Sequence, residues 1–372
     1  MVEPISPGQY MWMVGISVVA AGVYVWPQFV VQNAGTNGIY TLITITVLAM
    51  GLAALEVGLA LNLQEPTFVS GLKKVLPIIG VGFIFPLWAV IHIAADGVIL
   101  ALYGMMIRVN FYPNTPRLPM DTAIVVMAIW IGGRSLSAIA RSVQFWFPII
   151  LVLLLIVMTF SVRNLEYWSP LIPSSHFLAL PWAKTVLGTW FLFSNAAVVA
   201  TLTPHVRWRR PRDAYVTAMA AMGGQGVILL VLYAVGLVTL GPDGLSRIYW
   251  PLVYVFSLIS VQTFFLKSIG SFVIMVWTST TVLYMAVHLF CFNWNVMSLG
   301  KNPLVLWRAV AFGAAALILL AITQVIPSNV AAAVILFNVV SPLTLAWRVL
   351  FLPILWLLSL RYRTNRPSEE SL

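Results

Sequence analysis

Two ionisable side chains lie within a long apolar stretch, LWAVIHIAADGVIL. His92 and Asp96 are four residues apart, so a helix would place both on one face. An imidazole beside a carboxylate can relay a proton or receive an amino group, whereas the same spacing also suits a packed polar pair that joins two helices. Both alternatives are open from the residues alone.

A second polar interruption occurs in FLFSNAAVVATLTPH, where two residues that disfavour helix are followed by small ones. If the helix unwinds there, carbonyl groups near Phe193, Ser194 and Asn195 are free to receive an ammonium group. Trp190, one turn earlier, would help to shape such a pocket.

An earlier stretch, VVAAGVYVWPQ, also places small residues and a proline inside an apolar run. Its amide groups would receive a carboxylate if the helix unwinds, and Trp26 would flank the ligand. The residues assigned to this role are Ala21, Gly22 and Val23. Farther along, Thr280 and Thr281 are candidates for a cation or polar contact, with ordinary hydrogen bonding inside their own helix as the alternative.

The amino-acid composition indicates whether water or lipid surrounds these residues. Hydrophobic residues make up 61% of the 372 residues, charged residues make up 8%, and the mean hydropathy is +0.98. That is too little polar surface to cover a soluble globule, so the chain is expected to be solvated by lipid. The net charge of +10 is interpreted as an insertion signal and an attraction to anionic lipid, with no nucleic acid partner. A single cysteine and no Cys/His zinc spacing predict no metal and no cofactor.

The apolar runs predict an all-α integral membrane protein with ten spans. Residues 1–366 would form one membrane domain, in which the first five spans occupy about 10–162 and the second five about 182–360; residues 361–372 would form a short cytoplasmic tail. Lys and Arg are more than twice as frequent in the segments on the N-terminal side of the membrane, which predicts cytoplasmic termini. The predicted spans are 10–31, 37–61, 76–106, 119–139, 142–162, 182–203, 214–240, 268–297, 303–324 and 331–360.

The segments between the spans and two further polar residues predict structural roles. NLQEPTFVSGLKK predicts a short interfacial helix or loop, and DGLSRIYWPLVYVFSLISVQ predicts a helix on the surface. A kink is expected in the last span at Pro342 or Pro353. Glu56 and His288 favour structural roles, as a carboxylate reaching water or a neighbouring helix and as a satisfied interhelical histidine.

Six motifs occur in an order that resembles a known family. They are ISPGQ, GVYVWPQ with the following NAG, FYPNTP, LGPDGLSRIYWPL, LISVQTFF and GKNPLVL. Together they resemble the spore germination permeases, the B subunits of nutrient germinant receptors, over nearly the whole chain. Asn195 departs from the resemblance, because relatives often carry an acidic residue there.

The resemblance implies a five-plus-five inverted repeat, as in the leucine-transporter-type fold of the amino acid, polyamine and organocation transporter superfamily. Its first and sixth helices would be broken around a small nutrient, an amino acid by preference. It further implies receptor A and C subunits as partners and a location in the bacterial cell membrane or spore inner membrane. The alternative function is a proton- or cation-coupled amino acid transporter. An enzyme is not expected, because no nucleophile, base and orienting group can be recognised together.

Overall fold

The computed structural model describes residues 3–19, 25–161, 171, 180–194, 197–257, 269–300 and 305–364. Within these ranges the chain is helical, and the one β-type pairing is an isolated parallel bridge between Ile5 and Val206. Helix dominates because lipid offers no hydrogen bonds, so each apolar segment must satisfy its own backbone.

Sixteen α-helices are described. In the first half they are α1 Pro7–Val19, α2 Trp26–Ala34, α3 Gly38–Leu63, α4 Phe68–Val75, α5 Pro77–Ile79, α6 Phe85–Asn110, α7 Arg117–Gly132 and α8 Leu136–Ser161. In the second half they are α9 Leu180–Thr189, α10 Val198–Leu202, α11 Pro211–Arg247, α12 Pro251–Ser257, α13 Ile269–Met297, α14 Val305–Val325, α15 Asn329–Ile335 and α16 Ser341–Thr364. Short 3-10 turns cover Gly35–Asn37, Trp190–Phe193 and Thr203–His205, and π-helical turns cover Gly80–Ile84 and Leu336–Val340.

Eight helical stretches among the described residues are long and apolar enough to cross a membrane. The chain is therefore an integral membrane protein, as its composition predicts. Because α2 belongs to the stretch Trp26–Leu63, the remaining predicted spans fall on α1 and α7, which have 13 and 16 residues. Each is shorter than the roughly 20 residues that a bilayer crossing needs. Ten spans in an inverted repeat therefore stay a prediction.

The two short segments between spans behave differently. The first contains α4, and Thr67 caps this helix by accepting the N–H of Ser70 at 3.0 Å. The second contains α12, where Leu252, Val253 and Phe256 are buried. The expectation of a surface helix is wrong for α12, because its apolar side chains pack inward between α11 and α13.

In the last span the helix is irregular next to Pro342, the first of the two prolines at which a kink is expected. The π-helical turn Leu336–Val340 ends directly before Ser341 and Pro342, whereas Pro353 lies inside continuous helix. Because proline has no N–H, it frees a carbonyl in the preceding turn, and a π turn can absorb that mismatch. The turn sets the position of Ser341 at the start of α16.

The N-terminal segment is joined to the chain that follows α10. Ile5 donates its N–H to the His205 carbonyl at 2.9 Å, and its own carbonyl accepts the N–H of Arg207 at 3.0 Å. Nearby, Tyr10 in α1 and Thr203 share a hydroxyl hydrogen bond of 3.0 Å. The two segments that the sequence marked as interrupted are thus in direct contact.

A close approach joins α6 to α7. A Cβ atom on Gly104 would lie 2.1 Å from Oδ1 of Asp121, which is fully buried. Arg117 donates from Nε to Asp121 at 3.1 Å and from Nη1 to the Ile326 carbonyl at 3.0 Å. Glycine is therefore required at 104 for α6, α7 and the end of α14 to meet.

We expect Gly104→Ala to destabilise the protein by about 1–3 kcal/mol, because the added methyl group displaces a buried carboxylate. Thermal unfolding of the purified protein in detergent measures the change. Gly313→Ala in α14 is the matched control, since nothing lies within 4 Å of its added Cβ. Equal unfolding temperatures for the two variants would contradict the close approach.

Candidate functional site

The helical path between α9 and α10 is interrupted. After the 3-10 turn Trp190–Phe193, Ser194 is extended (φ −76°, ψ 100°), and Ala197 has a left-handed backbone (φ 56°). Residues 195 and 196 lie outside the described part of the chain. A left-handed alanine is unfavourable and persists only where its surroundings hold it.

Ser341 occupies the start of this interruption. The N–H of Phe191 donates to Oγ of Ser341 at 2.9 Å, and that hydroxyl donates to the Leu187 carbonyl at 2.6 Å. Leu187 and Phe191 are four residues apart, so their backbone groups would bond to each other in a regular α-helix. The hydroxyl of Ser341 stands between them instead.

A buried ion pair contacts the end of the 3-10 turn. Arg348 in α16 donates from Nη2 to Oε1 of Glu56 in α3, and from Nη1 to the Phe193 carbonyl at 3.0 Å. Each of the two charged residues is 2% exposed. The ion pair therefore supplies a hydrogen-bond donor to the backbone at the end of the 3-10 turn.

Three buried polar atoms beside this pair have no hydrogen-bond partner among the described residues. They are Oε2 of Glu56, Nε1 of Trp190 and Oγ of Ser194. The Arg348 guanidinium lies 5.6 Å from the centre of the Trp190 ring, and Ser194 directly follows the carbonyl that Arg348 binds. Unsatisfied polar atoms are uncommon in protein interiors, so these three atoms are candidates for contacts with a small polar ligand.

A second polar cluster joins α6, α13 and the end of α1. Oδ1 of Asp96 accepts the hydroxyl of Tyr284 at 2.8 Å and faces Nδ1 of His288 at 2.9 Å. Nε2 of His288 lies 3.2 Å from the Ser17 carbonyl. Since both partners of this imidazole are acceptors, it makes both hydrogen bonds only when both ring nitrogens carry protons.

His92 does not bond to Asp96, although both lie on the same helix. Nδ1 of His92 is 2.8 Å from the Trp88 carbonyl, and its ring packs between those of Trp88 and Trp347. The spacing correctly placed both residues in a buried interior, but the pairing expected between them is wrong. Asp96 instead binds side chains from α13.

The other predicted site residues lie in several environments. Trp26, Trp190, Phe193 and Ser194 are buried, and the Trp26 ring lies 5.9 Å from that of Tyr233. Thr280 donates to the Val276 carbonyl of its own helix at 2.7 Å, which was the alternative to a ligand contact, and Thr281 is fully buried. Four predicted residues lie outside the described part of the chain: Ala21, Gly22, Val23 and Asn195.

Sequence reasoning assigned no role to Arg348 or Ser341 and gave Glu56 a peripheral one. The arginine carried a usable signal, because a cation within a 34-residue apolar stretch is costly in lipid and marks a functional or structural centre. Ser341 carried none, since one hydroxyl in a helix is ordinary.

Apolar spans and two buried polar clusters define a polytopic helical membrane protein with a polar centre. Residues 4–325 match the model of the spore germination protein family of permeases, and the chain belongs to that family. No curated protein matches the chain. The family match ends at Val325, so Ser341 and Arg348 lie beyond it.

We expect Arg348→Met and Glu56→Gln each to destabilise the protein by about 3–5 kcal/mol, because each leaves a buried partner uncompensated. The double variant should cost clearly less than the sum of the two. Unfolding of all four proteins in detergent gives the coupling free energy. If each single variant costs less than about 1 kcal/mol and the two costs simply add in the double variant, the ion pair does not stabilise this part of the chain.

Proposed function

We propose that this protein is the nutrient-sensing membrane subunit of a spore germinant receptor. Its ligand is a small zwitterion, an amino acid by preference, bound where the α1–α2 segment meets the α9–α10 segment. The observation that carries the proposal is the set of unpartnered groups on Glu56, Trp190 and Ser194. Membership of the spore germination protein family supports the biological setting.

The chemistry of these groups suggests an orientation for the ligand. Oε2 of Glu56 is an acceptor suited to the ammonium group, while the Trp190 N–H and the Ser194 hydroxyl are donors suited to the carboxylate. The Phe193 carbonyl, which sequence reasoning assigned to the ammonium, already accepts Arg348. The ammonium site therefore moves from the backbone to Glu56.

The rest of the predicted site complements these contacts. The amides of Ala21, Gly22 and Val23 remain the proposed backbone donors to the carboxylate, since small residues allow close approach. Asn195 and Trp26 remain proposed ligand contacts, as an amide that can hydrogen-bond and as an apolar side chain.

Binding would act on signalling by favouring one conformer over another. The ligand contacts α3 and the α9–α10 junction, and the chain after α10 is bonded to the N-terminal segment through Ile5. A change at the junction thereby reaches a surface near the N-terminus, where the A and C subunits of the receptor would respond. The proposed location is the bacterial cell membrane or spore inner membrane, with both termini cytoplasmic.

We expect Trp190→Phe and Ser194→Ala to abolish the thermal stabilisation that a cognate nutrient gives to purified protein. Ser194→Ala removes one donor and little volume, so the free energy of unfolding without ligand should change by less than about 1–2 kcal/mol. Trp190→Phe also leaves a cavity at a fully buried position, so its free energy of unfolding without ligand should be lowered further. The measurement is a thermal-shift screen of amino acids, sugars and nucleosides, followed by germination of spores that carry the variants.

Matched controls make this test specific. Trp130→Phe alters a lipid-exposed indole, and Ser142→Ala alters a hydroxyl bonded within its own helix at Ala138. Both should keep the wild-type response. If no nutrient stabilises the wild-type protein, or if all four variants respond alike, the proposed ligand site is wrong.

The second candidate function is a proton- or cation-coupled amino acid transporter. The cluster of Asp96, His288 and Tyr284 favours it, because a buried carboxylate next to an imidazole can exchange a proton during a transport cycle.

Proteoliposomes distinguish the two functions. A sensor should show ligand binding without concentrative uptake of labelled amino acid under an imposed pH gradient. Uptake that follows the gradient in wild-type protein, and is lost in His288→Gln while ligand still binds, would establish the transporter instead. Thr217→Val, which removes a hydroxyl bonded within helix α11, serves as the control for reconstitution.

A further inference from the structure

A basic pocket of about 620 Å³ opens beside the loop between α7 and α8, away from the proposed nutrient site. Its polar wall combines residues from four parts of the chain: the N-terminal segment, the α7–α8 loop with α8, α13 and α14. They are Glu3, Arg134, Ser137, Arg141, Asn293 and Arg308.

The charge of the pocket favours an anion. Three arginines face it against one glutamate, and Ser135 at the start of α8 lines it too. Ser135 caps that helix by accepting the N–H of Ala138 at 3.4 Å, so the positive end of the helix dipole adds to the arginines. Arg308 is held in place by donating from Nη2 to the Gly133 carbonyl at 2.9 Å and the Arg134 carbonyl at 3.3 Å.

Asn293 gives independent evidence for a ligand. It lines the pocket and is 4% exposed, yet its Oδ1 has no hydrogen-bond partner among the described residues. An anion without an O–H group, such as sulfate, could not satisfy this acceptor. A ligand that carries a hydroxyl donor beside its anionic group would satisfy both Asn293 and the arginines.

Two exposed indoles lie close in sequence to arginines of the pocket. Trp130 is 65% exposed and Trp307 is 62% exposed, and each is near a pocket arginine in sequence. The Arg134 guanidinium lies 4.9 Å from the centre of the Trp130 ring. Exposed indoles at the ends of membrane helices mark the level of lipid headgroups, and phosphates there are available to arginine forks.

We propose that this pocket binds the headgroup of an anionic phospholipid of the phosphatidylglycerol type. The arginines receive the phosphate, and Asn293 accepts a glycerol hydroxyl. Such a lipid would brace the α7–α8 loop against α13 and α14, so a bound headgroup stabilises the packing of these helices without entering the nutrient site.

The test titrates purified full-length protein in neutral detergent with dioleoyl-phosphatidylglycerol or dioleoyl-phosphatidylcholine and counts bound lipid by native mass spectrometry. Arg134→Gln/Arg141→Gln should weaken binding of the anionic lipid about thirtyfold, since each arginine near a lipid surface contributes roughly a factor of five. Arg308 is left unchanged because it bonds to the loop. Ser137→Phe, which fills the pocket without changing its charge, should weaken the same binding if it folds.

The matched control is Arg207→Gln/Arg209→Gln, which removes equal charge from exposed positions before α11. It should bind phosphatidylglycerol as the wild type does. The proposal fails if this control loses as much affinity as the pocket variant, or if phosphatidylcholine binds equally well. It also fails if soluble glycerol phosphate fully displaces the lipid at a similar concentration, because the site would then be one for a free phosphate ester.

Discussion

The buried ion pair between Glu56 and Arg348 is the contact on which the interrupted helix depends. Inside a membrane, backbone N–H and C=O groups that lose their bonds within a helix cannot hydrogen-bond to water, so the protein must supply their partners. Here Arg348 supplies one such partner by donating to the Phe193 carbonyl. This arrangement requires α3 and α16 to meet at the junction of α9 and α10, and it constrains the packing of all four.

The helical membrane class could be predicted from composition, because apolar segments in lipid have few alternatives to helix. The contacts that a side chain makes with other helices could not be predicted in this way. The four-residue spacing of His92 and Asp96 placed them on one face, but it carried no information about α13, which supplies the bonds to Asp96. Likewise, a seven-residue helix such as α12 has the same apolar pattern whether it faces lipid or protein.

Of the candidate site, Trp190, Phe193 and Ser194 were identified because polar, small and aromatic residues meet at one point of an apolar run. Glu56 and Arg348 were not assigned to it, since they are far apart in sequence and each can be explained alone. Only the fold places a carboxylate of α3 beside a guanidinium of α16. Charged residues within apolar segments should therefore be examined as possible ion pairs, even when they are far apart in sequence.

The hydroxyl of Ser341 lies between two backbone groups that would otherwise bond directly. If α16 moved away, the Leu187 carbonyl and the Phe191 N–H could close on each other, and the serine could bond within its own helix. The number of hydrogen bonds would be conserved in this exchange. Hydrogen-bond number alone would therefore not oppose a movement of α16 away from the end of α9.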